Sequence, residues 1–124
     1  MDKKHFQVVV IGSGPGGYAA AFRAADLGKE VLLIDRDSNL GGVCLNRGCI
    51  PSKSLLHISK VIQEAHKLEQ AGVSFGSPVI DLKKVRGHKN NIVKKLNVGI
   101  EQMAKARGVK TIQGLASFQS NNEI

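Results

Sequence analysis

Tryptophan is absent, and a single tyrosine accompanies only four phenylalanines. Large rings therefore cannot carry the packing, and a core must be assembled from small and aliphatic side chains. Also missing is any apolar run near the roughly 20 residues of a membrane helix, so no membrane span is expected. The apolar run at residues 6–11 is too short for a signal core and leads straight into a glycine loop. With no leader visible, a cytoplasmic location is expected. Acidic residues are the minority, 10 against 18 basic, for a net charge of +8. Half of the basic residues fall within 83–110 in a helix-like pattern. Such a surface can bind phosphate, but it is ordinarily a solvated face, and no nucleic-acid partner is expected. Cysteine occurs only as Cys44 and Cys49. A close pair in an otherwise cysteine-free, leaderless chain points to catalysis or metal binding before a structural staple.

What is present suffices for one core: 124 residues, 42% of them hydrophobic. Residues 6–11 read as a buried parallel strand, continuous and β-branched. A glycine loop follows, then an Ala-rich helix over about 17–27, with Gly28 placed to end it in a left-handed cap. Residues 31–34 form a second strand closing with Asp35, so that 6–35 make one βαβ unit. After a polar turn at 36–39 comes the cysteine segment, 41–71, whose helix carries Leu55, Ile58, Ile62 and Ala65 on one face and ends at Gly72. Asp81 can cap a third helix reaching about Arg107, with Leu82, Val85, Ile92, Leu96, Ile100 and Met103 facing inward. Gly87 and Gly99 each cost that helix about 1 kcal/mol relative to Ala, which puts its continuity in question. Residues 110–113 read as a further strand, and Gly114-Leu115-Ala116 turns the chain within a helix-and-strand segment spanning 81–118.

Gly12, Gly14 and Gly17 fit GxGxxG, with Pro15 and Gly16 between them. That pattern is weak alone. Here it follows a strand, opens a helix, and precedes an acidic residue at a second strand end. Gly12 permits the tight turn, Gly14 lets the backbone approach a pyrophosphate, and Gly17 allows close helix–strand packing. The helix N-terminus offers free N–H groups and partial positive charge to the phosphates. Asp35 would accept hydrogen bonds from the adenosine ribose, and its charge repels a 2′-phosphate. The ligand expected is an FAD- or NAD-type dinucleotide rather than NADP. A ligand-free glycine turn is the bland alternative.

Four residues separate Cys44 from Cys49, which excludes the thioredoxin CxxC spacing. Zinc needs four ligands, and His57 and His66 show no ligand spacing, so no metal is expected. A disulfide remains, either redox-active or a bystander. In a regular helix, residues five apart have Cα atoms roughly 8.7 Å apart, whereas a disulfide tolerates at most about 6.8 Å. The segment must depart from ideal helix between the cysteines, and Gly48 supplies the freedom. Pro51 suits the first turn of the next helix. Cys49 then sits at a helix N-terminus, where a thiolate is stabilised. Lys53 lies one turn further on the same face. There a cation can stabilise a thiolate or an anionic flavin, although a surface lysine is the ordinary reading.

The run GGVCLNRGCIPSKSLLH, residues 41–57, closely resembles the redox motif of the pyridine nucleotide–disulfide oxidoreductases, in particular the branch that oxidises dihydrolipoyl groups. The glutathione- and mercury-reducing branches are similar, but typically differ around Leu45, Ile50 and Ser54. The resemblance extends over essentially the whole chain. It implies an α/β fold: a Rossmann-like FAD-binding domain with a parallel sheet, of which residues 1–124 are the N-terminal part, left incomplete.

On that resemblance the Gly12 loop would hold the FAD pyrophosphate and Asp35 the adenosine ribose. Residues 35–44, including Arg36, Gly41, Gly42, Val43 and Cys44, would line the cofactor. Cys49 would be the sulfur nearest the flavin, Cys44 the one exchanging with dihydrolipoyl groups, and Lys53 would lie beside the ring. The Gly114 turn would bring the Ala116 backbone to the adenine. Asp35 stands where the family often has Glu, so the ribose contact could be longer. Ala116 stands where it often has Gly, which matters only if a positive φ is needed. Family members are several times longer, with an NAD domain and an interface domain that supplies a His–Glu pair to the other subunit of a homodimer. Neither is expected within this chain, and catalysis by it alone is not expected. The partners implied for the longer protein are the dihydrolipoyl groups of 2-oxo acid dehydrogenase complexes, with NAD as the electron acceptor.

Overall fold

In the computed structural model, residues 4–124 are described. Three strands form a parallel sheet in the order β1-β2-β3: β1 (Val8–Ile11), β2 (Val31–Asp35) and β3 (Lys110–Gln113). Between β1 and β2 runs α1 (Pro15–Asp26), and between β2 and β3 come α2 (Gly42–Arg47), α3 (Cys49–Lys67) and α4 (Leu82–Ala106). The fold is α/β with parallel strands. No helix of the described residues is long and apolar enough to cross a membrane.

β2 is the middle strand, and its first four residues are buried. β1 is shorter and less buried than the apolar run at 6–11 suggests. Its start is displaced because the N–H groups of Gln7 and Val8 both donate to the Glu30 carbonyl, while the Gln7 side chain accepts from the Glu30 N–H. Ile11 stays exposed, as β1 has a neighbour on one side only.

The first helix begins earlier than position 17, at Pro15, whose fixed φ and missing N–H suit a first helical residue. It ends as its glycine predicts. Gly28 (φ 77°) donates to Ala25 O, and the Lys29 N–H reaches Ala24 O, the paired bonds of a Schellman closure. α4 stops the same way: Gly108 (φ 69°) donates to Lys105 O, and Val109 N–H to Ala104 O. Each closure leads the chain directly into a strand.

α3 ends at Lys67, followed by a 3-10 turn (Leu68–Ala71) that a left-handed Gly72 terminates. Ile58, Ile62 and Ala65 are half-buried, while Leu55 is exposed, and half-buried Ser54 takes its place on the inner face. α4 runs unbroken through Gly87 and Gly99, and Asp81 Oδ1 caps it by accepting from the Lys83 and Lys84 N–H groups. Its inward face differs from the expected stripe. Asn97, Ile100 and Ala104 are buried with Val93 packed beside them, whereas Leu82, Leu96 and Met103 are exposed. Two apolar stripes share Ile100, and the one that meets the core formed by Phe22, Leu33, Leu40 and Leu45 is the one interrupted by an amide. Most of the lysines of α4 lie on its exposed sides.

Leu33, 1% exposed, sits at the centre of that core, while Ile112 on β3 is 45% exposed. Leu33→Ala should cost about 2–5 kcal/mol and Ile112→Ala well under half of that. Urea unfolding of the two variants checks the ranking, and equal midpoints would contradict this core.

Candidate functional site

The backbone leaves β1 through Gly12 (φ 94°), whose N–H donates to Ile34 O at 2.7 Å. Ser13 is fully buried, Gly14 is the N-cap of α1, and Gly17 faces back onto the loop. A Cβ on Gly17 would lie 1.7 Å from the Gly12 carbonyl oxygen, so the helix can approach only because no side chain is there. Gly14 differs. Its φ of −63° is open to any residue, and a Cβ there would meet no protein atom within 4 Å. Nothing in the folded chain itself requires glycine at 14.

What lies against it is a cleft of about 330 Å³. It is lined by Gly12, Gly14, Asp35, Arg36, Gly42, Val43, Gly114 and Ala116 of the sequence-predicted residues. Its walls also include Ile11, Ile34, Asp37, Arg47 and Leu115. Pro15, Gly16 and Gly17 form the first turn of α1 behind it, while Gly41, Cys44, Cys49 and Lys53 stand outside its lining. The Gly114 N–H donates to Asp35 O at 2.8 Å, which sets the last turn at the strand ends.

Asp35 holds the loop as well as facing the cleft. Its Oδ2 accepts from both the N–H and the hydroxyl of Ser13, each at 2.6 Å, and its Oδ1 accepts from the Asp37 N–H at 2.9 Å. An ionised carboxylate offers about four acceptor positions, so one remains for a ligand hydroxyl. Burial raises the Asp35 pKa, but the Ser13 hydroxyl, the Asp37 and Ser13 N–H groups and the Arg36 charge outweigh it, leaving the group below its ordinary value. Ser13 was invisible in the sequence, being an x of the glycine pattern.

The cysteine segment is fastened to this loop. Gly41 (φ 103°) donates its N–H to Ser13 O at 2.9 Å. Gly42 (φ 62°) lies so close that a Cβ would sit 2.7 Å from Gly14 Cα. α2 begins there and carries Cys44. At Gly48 (φ −127°, ψ −107°) the helix breaks, and α3 restarts at Cys49. The break brings the two Cα atoms to 4.7 Å, and Cys44 and Cys49 are joined as a disulfide. Cys49, the more exposed of the two, is the first residue of a 19-residue helix. Free N–H groups and the helix dipole would there favour a thiolate after reduction. Lys53 is exposed one turn along α3.

Three further side chains serve the site without a sequence signature. Arg47, between the cysteines, pairs with Asp37 at 2.7 Å on the cleft wall. Asn46 donates to the carbonyls of Leu40 (3.1 Å) and Gly42 (2.9 Å), and Asn97 of α4 donates to Leu40 O at 2.7 Å. An amide on the otherwise apolar stripe Val93, Ile100, Ala104 was the one available hint.

Ser13→Ala should destabilise the chain by about 1–2 kcal/mol near neutral pH, by removing a hydroxyl donor from a charged acceptor. Because the Asp35 pKa is depressed on folding, the stabilisation is complete above the unfolded value near 3.9 and fades as pH falls through the folded one. The gap between wild type and variant should therefore narrow in acid. Urea titrations across pH 3–7 read it, and a gap independent of pH would remove Asp35 as the cause.

Comparison with known proteins adds a family to this geometry. The chain is 56% identical, over its whole length and 26% of the relative's, to a dihydrolipoyl dehydrogenase of Buchnera aphidicola subsp. Acyrthosiphon pisum (strain APS). It is 55% identical to one of Vibrio parahaemolyticus serotype O3:K6 (strain RIMD 2210633), over 95% of this chain and 25% of that protein. To one of Staphylococcus aureus it is 47% identical, over 94% and 25% respectively. The chain thus spans about a quarter of the length of the curated relatives it matches. The profile described as pyridine nucleotide-disulphide oxidoreductase matches residues 6–124, and the chain belongs to that family.

Proposed function

We propose that this chain is the FAD-binding and redox-disulfide segment of a dihydrolipoyl dehydrogenase, the N-terminal part of a longer protein. That protein oxidises the dihydrolipoyl groups of 2-oxo acid dehydrogenase complexes and reduces NAD⁺. It works in the cytoplasm as a homodimer, with NAD and interface domains outside residues 1–124. The observation that carries this reading is continuity. Gly42 and Val43 line the cleft, and the next residue is Cys44 of the disulfide.

The cleft suits FAD. Gly14 leaves room for a pyrophosphate against the α1 N-terminus, Asp35 keeps an acceptor position for ribose, and Ala116 offers backbone to the adenine. FAD, when bound, supplies a two-electron acceptor for the reduced cysteine pair. The chain's own residues carry the exchange before that. A dihydrolipoyl thiolate attacks Cys44 Sγ, the Cys44–Cys49 bond breaks, and Cys49 leaves as a thiolate favoured by the start of α3. The second substrate thiolate then displaces Cys44, closing the lipoyl disulfide. Two electrons have passed to the cysteines, and the two substrate protons go to solvent or a base. Lys53 would lie beside the flavin ring with Cys49.

Gly14→Val should leave the fold intact, since its φ and surroundings accept a side chain, yet abolish flavin binding. Flavin fluorescence quenching and urea unfolding, measured together, separate the two effects. Retained FAD affinity in the variant would refute the placement.

The chain alone should not turn over NAD⁺ with dihydrolipoamide, even with added FAD. It carries one dinucleotide fingerprint, whereas the reaction needs a second nucleotide site and a positioned base. Absence of the base alone lowers a rate by roughly 10²–10⁴-fold. NADH formation followed by absorbance measures it, and turnover matching a full-length relative would defeat the proposal.

A further inference from the structure

We infer that Asn97 is a positioning residue, which holds the nucleotide cradle and the redox disulfide in register from a helix that contributes to neither. It is 8% exposed on α4, where the neighbouring buried positions are apolar. Burying an amide is unfavourable unless its donors are used. Here Nδ2 donates to Leu40 O at 2.7 Å and to Asn46 Oδ1 at 3.0 Å. Asn46 in turn donates to Leu40 O and Gly42 O. Two amides therefore converge on the carbonyl that precedes the left-handed glycines.

The consequences run in two directions. Toward the cleft, Gly41 is bonded to Ser13 and Gly42 rests on Gly14, so any shift at Leu40 moves the surface a pyrophosphate would meet. Toward the sulfurs, Asn46 lies in α2 between Cys44 and Cys49, so the bond from Asn97 fastens the short helix that carries Cys44. The clamp comes from 51 residues further along the chain. Filling the core is not its purpose, because a leucine of similar size would satisfy that stripe. A leucine would leave the Leu40 carbonyl its bond from Asn46. What leucine removes is the tether on Asn46 Oδ1.

Asn97→Leu is therefore expected to fold, with two local losses. Equilibration of the cysteine pair with glutathione, read by alkylation and mass, should show disulfide formation disfavoured at least 3-fold. A loosened α2 holds the two thiols together less well, and this readout needs no flavin. FAD affinity, which rests on the function proposed above, should fall about 10-fold or more. Ile100→Ala is the control: equally buried on the same helix, it should lower the urea midpoint at least as far while changing both readouts by less than 2-fold. If Asn97→Leu does not fold, Asn97→Ala, which removes the amide without adding bulk, should give the same two losses. Wild-type values in both readouts for the folded variant, or equal losses in Ile100→Ala, would overturn the inference. Failure of wild type to bind FAD would count against the proposed function alone, since the thiol equilibrium would still decide the role of Asn97.

Discussion

The contact between Gly42 and Gly14 is the junction on which this structure turns. One glycine ends the nucleotide loop and opens α1; the other opens α2, and it lies so close to the first that a methyl group on Gly42 would have no room. Gly41 adds a hydrogen bond to Ser13, and Ser13 is in turn held by Asp35 at the end of β2. Loop, strand end and cysteine helix are thus joined directly to one another. A side chain at Gly42 would collide with the Gly14 backbone, and the cysteine segment would have to leave the cleft wall.

Charge is arranged at the same junction with little bulk. The Ser13 and Asp37 donors, helped by the Arg36 charge, outweigh burial and hold the Asp35 carboxyl below its ordinary pKa. Arg47 and Asp37 pair at the outer wall, where solvent screens them. Such exposed pairs are worth little to stability, at most about 1 kcal/mol.

Much of this was legible in the residues. The strand–glycine–helix pattern, the acidic strand end, the left-handed end at Gly28, and the break required at Gly48 all follow from local chemistry, and the structure has each of them. The face of α4 was not legible. Its apolar residues define two overlapping stripes, and only the shape of the core selects between them. Ser13, Arg47 and Asn97 were equally hidden, because their partners are 10 to 57 residues away in sequence. Periodicity reports what a helix buries in general, while a single long-range hydrogen bond leaves no periodic trace.

The short span of the disulfide carries its own consequence. With a sequence separation of 5, the crosslink closes a very small ring. In the chain-entropy picture, a loop this short restricts the unfolded state by about 2 kcal/mol, against nearly 5 for a hundred-residue loop. The crosslink therefore ties together two helix ends that Gly48 has already brought near, and contributes modestly to the fold as a whole. A chain built this way can open and remake that bond repeatedly while its architecture stays in place.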